Sequence, residues 1–169
     1  MMIFKFIFLT IILFGTSYIG ILMAKKYSSR VKDLKEMRKA LNFFEDKIKF
    51  TYEPIPDVFE EISSKVNENI GEIFKSSANL MQNESAGVSW EKAVDNANTN
   101  FSKEDNEIIK GLAKMLGKTD IDGQVSEIRL TNKFIDVQIK DAENEKNRNE
   151  KLYKTLGVTV GLAIVIVLI

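Results

Sequence analysis

FIFLTIILFGTSYIGILMA (residues 6–24) runs directly into KKYSSRVKDLKEMRKALNFFEDKIKF (residues 25–50), and the reading of this junction decides the fold. The first string carries no charge over about 19 residues, or roughly 28 Å of helix, the depth of a bilayer's hydrocarbon core. In the second, Tyr27, Arg30, Leu34, Met37, Leu41, Phe44 and Ile48 recur at alternating steps of three and four, the apolar seam of a packed helix. No proline separates the two strings, so one helix is expected to run from the bilayer to about Phe50. Pro54-Ile-Pro56 must end it, because a residue before proline is pushed out of the helical region.

Outward from this stretch, the charges partition the chain. Lys5 is the sole charge among the first 24 residues, and none follows Lys154. A secretory signal would use Lys5 as its basic start, but Met23-Ala24-Lys25-Lys26 offers no small-x-small cleavage site, so an uncleaved anchor is expected. The far end, LGVTVGLAIVIVLI (residues 156–169), covers only about 21 Å as a helix; starting at Leu152, with Tyr153 at the interface and Lys154 snorkelling, brings it closer to a full crossing. Three segments result: a first span at residues 1–24, a charged middle at 25–151 and a second span at 152–169. Lys25, Lys26, Arg30, Lys32 and Lys35 flank the first span, and Lys146, Arg148, Lys151 and Lys154 the second, all on the middle-domain side. The positive-inside rule then predicts a cytoplasmic middle with both termini outside.

The middle reads as an all-α bundle, since no stretch combines β-branched alternation with hairpin turn signals. Asp57 is a candidate cap for a short helix bearing Val58, Phe59 and Ile62, and Gly71 a break before Ile73, Phe74, Leu80 and Met81. Asn83 to Gly87 suggests an exposed loop, and Ser89 a cap for the helix holding Trp90, Ala93, Val94 and Ala97, with Trp90 as a core anchor. Ser102-Lys-Glu-Asp105 resembles an N-cap with acids in the first turn, ahead of Ile108, Ile109, Leu112, Met115 and Leu116, and Gly117 suits a left-handed stop. A last long helix, with Asp120 at its start, is predicted from Ile121–Gly123 into the second span. Val125, Ile128, Asn132, Ile135, Ile139 and Ala142 form its seam, followed by a polar stalk from Glu143 to Lys151. The expected core is Leu34, Met37, Leu41, Phe44, Trp90, Leu112, Val125, Ile128 and Ile135.

Composition excludes much chemistry. Among 169 residues there is no histidine and no cysteine, which removes disulfides, thiolate zinc sites and Cys/His nucleophile pairs. With 24 basic and 24 acidic residues the formal charge is zero, against a nucleic-acid surface. Gly111-Leu-Ala-Lys-Met-Leu-Gly117-Lys118-Thr119 imitates a phosphate-binding loop, but it has one residue too many between its glycines and a helical approach where a strand is needed. The acidic pairs Glu60/Glu61 and Glu143/Glu145 sit among lysines on solvated faces, so no catalytic residue, cofactor, metal or small-molecule substrate is expected. In the spans, Thr16, Gly20 and Ala24 form a stripe of small residues, and Gly157 and Gly161 a G-x-x-x-G. Such stripes let helices approach closely in lipid, within one chain or between copies.

The residues also resemble a known family, the stage III sporulation protein AB family, over nearly the whole chain. The likeness rests on Gly15-Thr16, Gly20, Ala24, Tyr27 and Arg30, then on Ile48, Phe50, Pro54 and Ile55. Ile73-Phe74, Ser89-Trp90-Glu91-Lys92-Ala93, Leu116-Gly117, Asp120, Gln124, Leu156-Gly157 and Gly161-Leu162 continue it in order. Phe50 is a mild departure, standing where a tyrosine or another aromatic is expected. The family is similar to the inner-membrane platform protein of type II secretion and type IV pilus systems. The resemblance implies a place in the outer forespore membrane, in the channel between mother cell and forespore, with a secretion-type ATPase and ring-forming subunits as partners. The reading that follows is a non-enzymatic scaffold in contact with membrane lipid, with homo-oligomerisation open. The alternative is a membrane-anchored helical adaptor or coiled-coil oligomer outside sporulation; an enzyme using only carboxylates, Lys and Ser ranks third.

Overall fold

Helix α1 spans Met2–Phe50 and helix α6 Ile121–Leu168, each without interruption. The source is a computed structural model that describes residues 2–51 and 53–168 and omits the side chains of Met2, Ile3 and Lys5. Lys5, the charge just before the first apolar run, and Ile169, the last residue of the second, therefore lie outside the described side chains. Between the long helices come α2 (Ile55–Ser63), α3 (Glu68–Leu80), α4 (Ala86–Asp95) and α5 (Lys103–Lys110), then a 3-10 turn at Gly111–Lys114. Among the described residues there is no strand, and the protein is all-α with a long apolar helix at either end.

Contacts divide the chain into two compact units. One is Lys32–Lys140; the other joins the two chain ends, up to Val31 and from Asp141 onward. These bounds differ from the composition boundaries at residues 24 and 152, because Tyr27 pairs with Tyr153 and Arg30 with Glu145 beyond the apolar runs. Both long helices hold stretches long and apolar enough to cross a membrane, with mean hydropathy 2.2 in α1 and 1.8 in α6.

The Lys32–Lys140 unit is built around aromatic rings. Phe59 packs edge-on against Phe44 and against Phe74, each at 4.9 Å between centroids, and Trp90 lies 5.1 Å from Phe74. Buried Trp90 donates its Nε1 proton to the Ile109 carbonyl at 2.8 Å, so its one polar atom is satisfied. Leu34, Met37, Leu41 and Phe44 of α1 are fully buried, as is Ile128 of α6; Val125, Asn132, Ile135 and Ile139 are buried along the same seam, and Ala142, just past the unit's end, is buried too.

Several element ends differ from expectation, each for a local reason. Pro54, not Asp57, precedes α2; Pro56 sits in the first turn, where its fixed φ suits the helix and its missing amide proton breaks no bond, and Asp57 follows it where its charge favours the helix dipole. Gly71 does not break α3. It lies inside the helix, where a Cβ would come within 2.5 Å of the Ser63 carbonyl oxygen, so glycine permits α2 and α3 to cross. Asn67 is the cap there, accepting from the Ile70 amide at 3.0 Å. Helix α4 begins three residues before Ser89, with Ser85 preceding it; Ser89 is buried inside the helix. The loop expected at Asn83–Gly87 therefore stops at Ser85, and Gly87 is held against the Ala113 carbonyl oxygen.

Ser102 caps α5 as expected, and Asp105 completes a reciprocal capping box, accepting from the Ser102 amide at 2.8 Å while Ser102 accepts from the Asp105 amide at 3.1 Å. Helix α5 nevertheless ends at Lys110, so Leu112 lies in the 3-10 turn and Met115 and Leu116 follow it. Gly117 adopts φ of +69° after that turn, and Asp120 then accepts from the Gly123 amide at 2.9 Å at the start of α6.

Candidate functional site

In the chain-end unit the two small-residue stripes face each other. A Cβ on Gly20 would lie 2.6 Å from the Tyr153 carbonyl oxygen and 3.0 Å from the Gly157 Cα; one on Gly157 would lie 2.8 Å from the Thr16 carbonyl oxygen. At Gly161 an added Cβ would strike the Thr16 hydroxyl, and Ala24 is buried. The stripes thus serve each other within one chain, and the backbones touch because side chains are missing there. Outward, the same helices present Phe6, Phe8, Ile11, Phe14, Leu22, Val160 and Ile166, all exposed.

The hydroxyls of this unit follow the logic of lipid. Thr10 donates to the Phe6 carbonyl, Ser17 to Leu13 and Thr159 to Thr155, each four residues back at 2.8–2.9 Å. Thr16 shares its proton between the Ile12 and Leu13 carbonyls at 3.1 Å. Each of these four hydroxyls returns its hydrogen bond to its own helix and so needs no water partner. Just past the apolar runs, Tyr27 stacks on Tyr153 at 5.8 Å, and Arg30 reaches Glu145 at 2.7 Å.

Inside the bundle, Asp33 was not among the expected site residues, though it organises two loops. Its buried carboxylate accepts from the Asn100 amide at 3.0 Å, from Asn100 Nδ2 at 2.9 Å and from Asn67 Nδ2 at 3.4 Å. Glu36, one turn on, accepts from the Asn67 amide at 3.1 Å. Sequence gave no signal for this, because a lone Asp beside the seam reads as a solvated position. Across the bundle, α1 and α6 are tied by Arg38–Asp136 at 2.6 Å, Arg129–Glu45 at 2.8 Å and Asn132–Asn42 at 2.9 Å. Glu45 is partly buried, which opposes its charge, yet hydrogen bonds from Lys49 and Arg129 outweigh burial and hold its carboxyl below the ordinary value.

Gly111, Gly117 and Lys118 occupy a 3-10 turn and its exit, with no strand before them, so their amides do not form a phosphate cradle. Among the described residues no group of three carboxylates converges as a metal site. Leu130, Phe134 and Val137 form an exposed apolar stripe on α6 at four- and three-residue steps. That periodicity was visible in the sequence but overshadowed by the stronger buried seam.

An aromatic-centred helical bundle in one unit, and in the other two apolar helices that meet at small residues, fit one class: a helical membrane protein. A family model for stage III sporulation protein AB matches residues 5–169. The chain belongs to the stage III sporulation protein AB family, and so to sporulation. It is 26% identical over 161 residues to Stage III sporulation protein AB of Bacillus subtilis (strain 168), covering 93% of this chain and 94% of the relative. A solved structure of a stage III sporulation protein AB shares the fold, with a TM-score of 0.65, 21% identity, and coverage of 71% of this chain and 98% of that one.

Proposed function

We propose that the protein is a non-enzymatic scaffold of the channel between mother cell and forespore, linking a secretion-type ATPase to membrane ring subunits. The observation that carries this reading is the pair of uninterrupted helices, α1 and α6, each of which contains both an apolar stretch and a seam of the bundle. Two-point anchoring resists rotation and pull-out better than a single anchor, and unbroken helices transmit force. The middle domain faces the mother-cell cytoplasm and both termini lie across the outer forespore membrane, following the lysines and arginines beside both apolar runs.

Localisation tests this directly. A short epitope inserted between exposed Gln82 and Asn83 avoids Gly87, which has no room for change. Signal concentrated around the engulfed forespore, followed by cross-linking to the ATPase, is the expected result. An even distribution over the membrane of growing cells would sink the channel assignment. Lys32→Pro probes force transmission: it should abolish sporulation while the protein still accumulates, because proline breaks the hydrogen-bond ladder of α1.

A further inference from the structure

The chain-end unit carries more positive charge beside its apolar runs than its own carboxylates neutralise. Gly20 meets Gly157 and, further along α1, Arg30 meets Glu145. Lys25 and Lys26 lie between those two contacts, level with the stretch of α6 that contains Arg148, Lys151 and Lys154. Two acids occupy this level, and both are committed: Glu145 to Arg30 at 2.7 Å and Glu150 to Lys154 at 2.6 Å. The hydrogen bond from Lys154 holds the Glu150 carboxyl below its ordinary value, so it stays ionised in that pair. Lys25, Lys26, Arg148 and Lys151 are exposed and hold no carboxylate among the described residues. Asp141 and Glu143 stand about 14–16 Å further along α6 from Leu152, beyond easy reach of the apolar boundary.

Because glycine meets glycine at the crossing, the two backbones run close together, and the basic residues that follow on both helices share one level. Like charges so placed repel, and the repulsion is relieved when a counter-anion sits among them. At the edge of an apolar span, beside a stacked tyrosine pair that marks the interfacial depth, the anion at hand is a lipid phosphate. On α6 itself Lys146, Asn147, Glu150, Lys151, Lys154 and Thr155 border an open surface hollow, to which three of them bring an ammonium group.

We propose that Lys25, Lys26, Arg148 and Lys151 form a cationic collar that binds the phosphodiester headgroups of anionic phospholipids. This rests on the membrane reading of α1 and α6, not on the channel assignment. It differs from a topology signal, which acts during insertion and requires no bound lipid afterwards.

Full-length protein reconstituted in vesicles of phosphatidylcholine mixed equally with phosphatidylglycerol provides the test. Spin-labelled phosphatidylglycerol and spin-labelled phosphatidylcholine report how many lipids are held at the protein surface. The expected outcome is a preference for the glycerol lipid on the order of tenfold at low salt, shrinking toward unity near 1 M salt as the screening length falls to about 3 Å. Lys25→Gln/Lys26→Gln/Lys151→Gln should lose the preference, and the matching triple arginine variant should keep it. The single tryptophan, Trp90, reports in each case that the bundle remains folded. Equal retention of both lipids would overturn the proposal, as would displacement by millimolar glycerophosphate, which would make the collar a site for free phosphate. A chain that enters neither vesicle type would overturn the membrane reading, and the collar with it.

Discussion

The two units use the same kinds of side chain in opposite senses. In Lys32–Lys140 the large apolar residues Phe44, Phe59, Phe74 and Trp90 are hidden, and apart from hydrogen-bonded carboxylates such as Asp33 and Asp105 the charges face out. In the chain-end unit Phe6, Phe8 and Phe14 face out, while Gly20, Ala24 and Gly161 are inside. The contrast matches each unit to a different solvent. In water, burying an aromatic ring contributes most of the stability and backbones are held apart by the rings. In lipid the rings gain nothing by hiding from equally apolar surroundings, so small residues and close backbone contact decide the pairing.

Truncating the bundle's anchor should produce the largest effect. Trp90→Ala removes the ring that touches Phe59 and Phe74 and leaves the Ile109 carbonyl without its donor. A loss of about 3–5 kcal/mol is expected, read from urea unfolding of the full chain in detergent by circular dichroism. Phe14→Ala, on the exposed face of α1, is the matched control and should leave that transition unchanged. Comparable losses at both positions would erase the distinction between the units.

Asp33→Ala comes next. The carboxylate's partners, the Asn100 amide and side chain and the Asn67 side chain, sit in part-buried surroundings, and stranding them should cost about 1–3 kcal/mol. Amide exchange should rise first at Asn67 and Asn100, because those loops lose their tie to α1. Asp33→Asn should recover part of the loss, since an amide oxygen still accepts.

Gly157→Ile tests the other unit. The new side chain must occupy space held by the Thr16 carbonyl and the Gly20 backbone, an overpacking cost of about 1–3 kcal/mol. The chain has no native cysteine, so Tyr27→Cys/Tyr153→Cys reports the helix pairing through disulfide yield, which should fall sharply. The bundle's unfolding transition should move by less than about 0.5 kcal/mol, as expected for distant sites. A bundle that weakens equally would show that one set of packing rules governs both.

How legible each unit was follows from the same contrast. The seams of α1 and α6 repeat over many turns, so Leu34, Met37, Leu41, Phe44, Ile128 and Ile135 could be read from spacing alone. Both long helices could be read as continuous because no proline interrupts them. The ends of α2, α3 and α4 could not, because they depend on tertiary contacts. Gly71 and Gly87 look like breakers in sequence, yet they are crossing points where the Ser63 and Ala113 carbonyls approach. Ser85 and Ser89 both have capping chemistry, and only the burial of Ser89 separates them. Asp33 escaped notice because its partners are 34 and 67 residues away, a separation no local pattern encodes.

The smallest expected effect is electrostatic and separates the units by pH. Glu45 joins α1 to α6 through Arg129 while also accepting from Lys49, and those hydrogen bonds outweigh its partial burial to depress its carboxyl below the ordinary 4.5. The folded protein therefore binds fewer protons at this site than the unfolded chain. Its stabilisation is complete above that ordinary value and is lost as pH falls through the lower folded value. The contribution should stay under about 1 kcal/mol, because Arg129 is largely exposed and salt screens the pair. Glu45→Gln should flatten the acid limb of a stability–pH curve measured on the full chain, and added salt should do the same to the parent protein. Glu150, whose carboxyl is also depressed, by its hydrogen bond from Lys154, offers the contrast: that pair lies four residues apart on α6 alone. Protonating Glu150 loosens no contact between helices, so Glu150→Gln should leave the cross-linking yield of the Tyr27→Cys/Tyr153→Cys pair intact. If it did not, charge rather than glycine packing would be setting the approach of α1 to α6 in that unit.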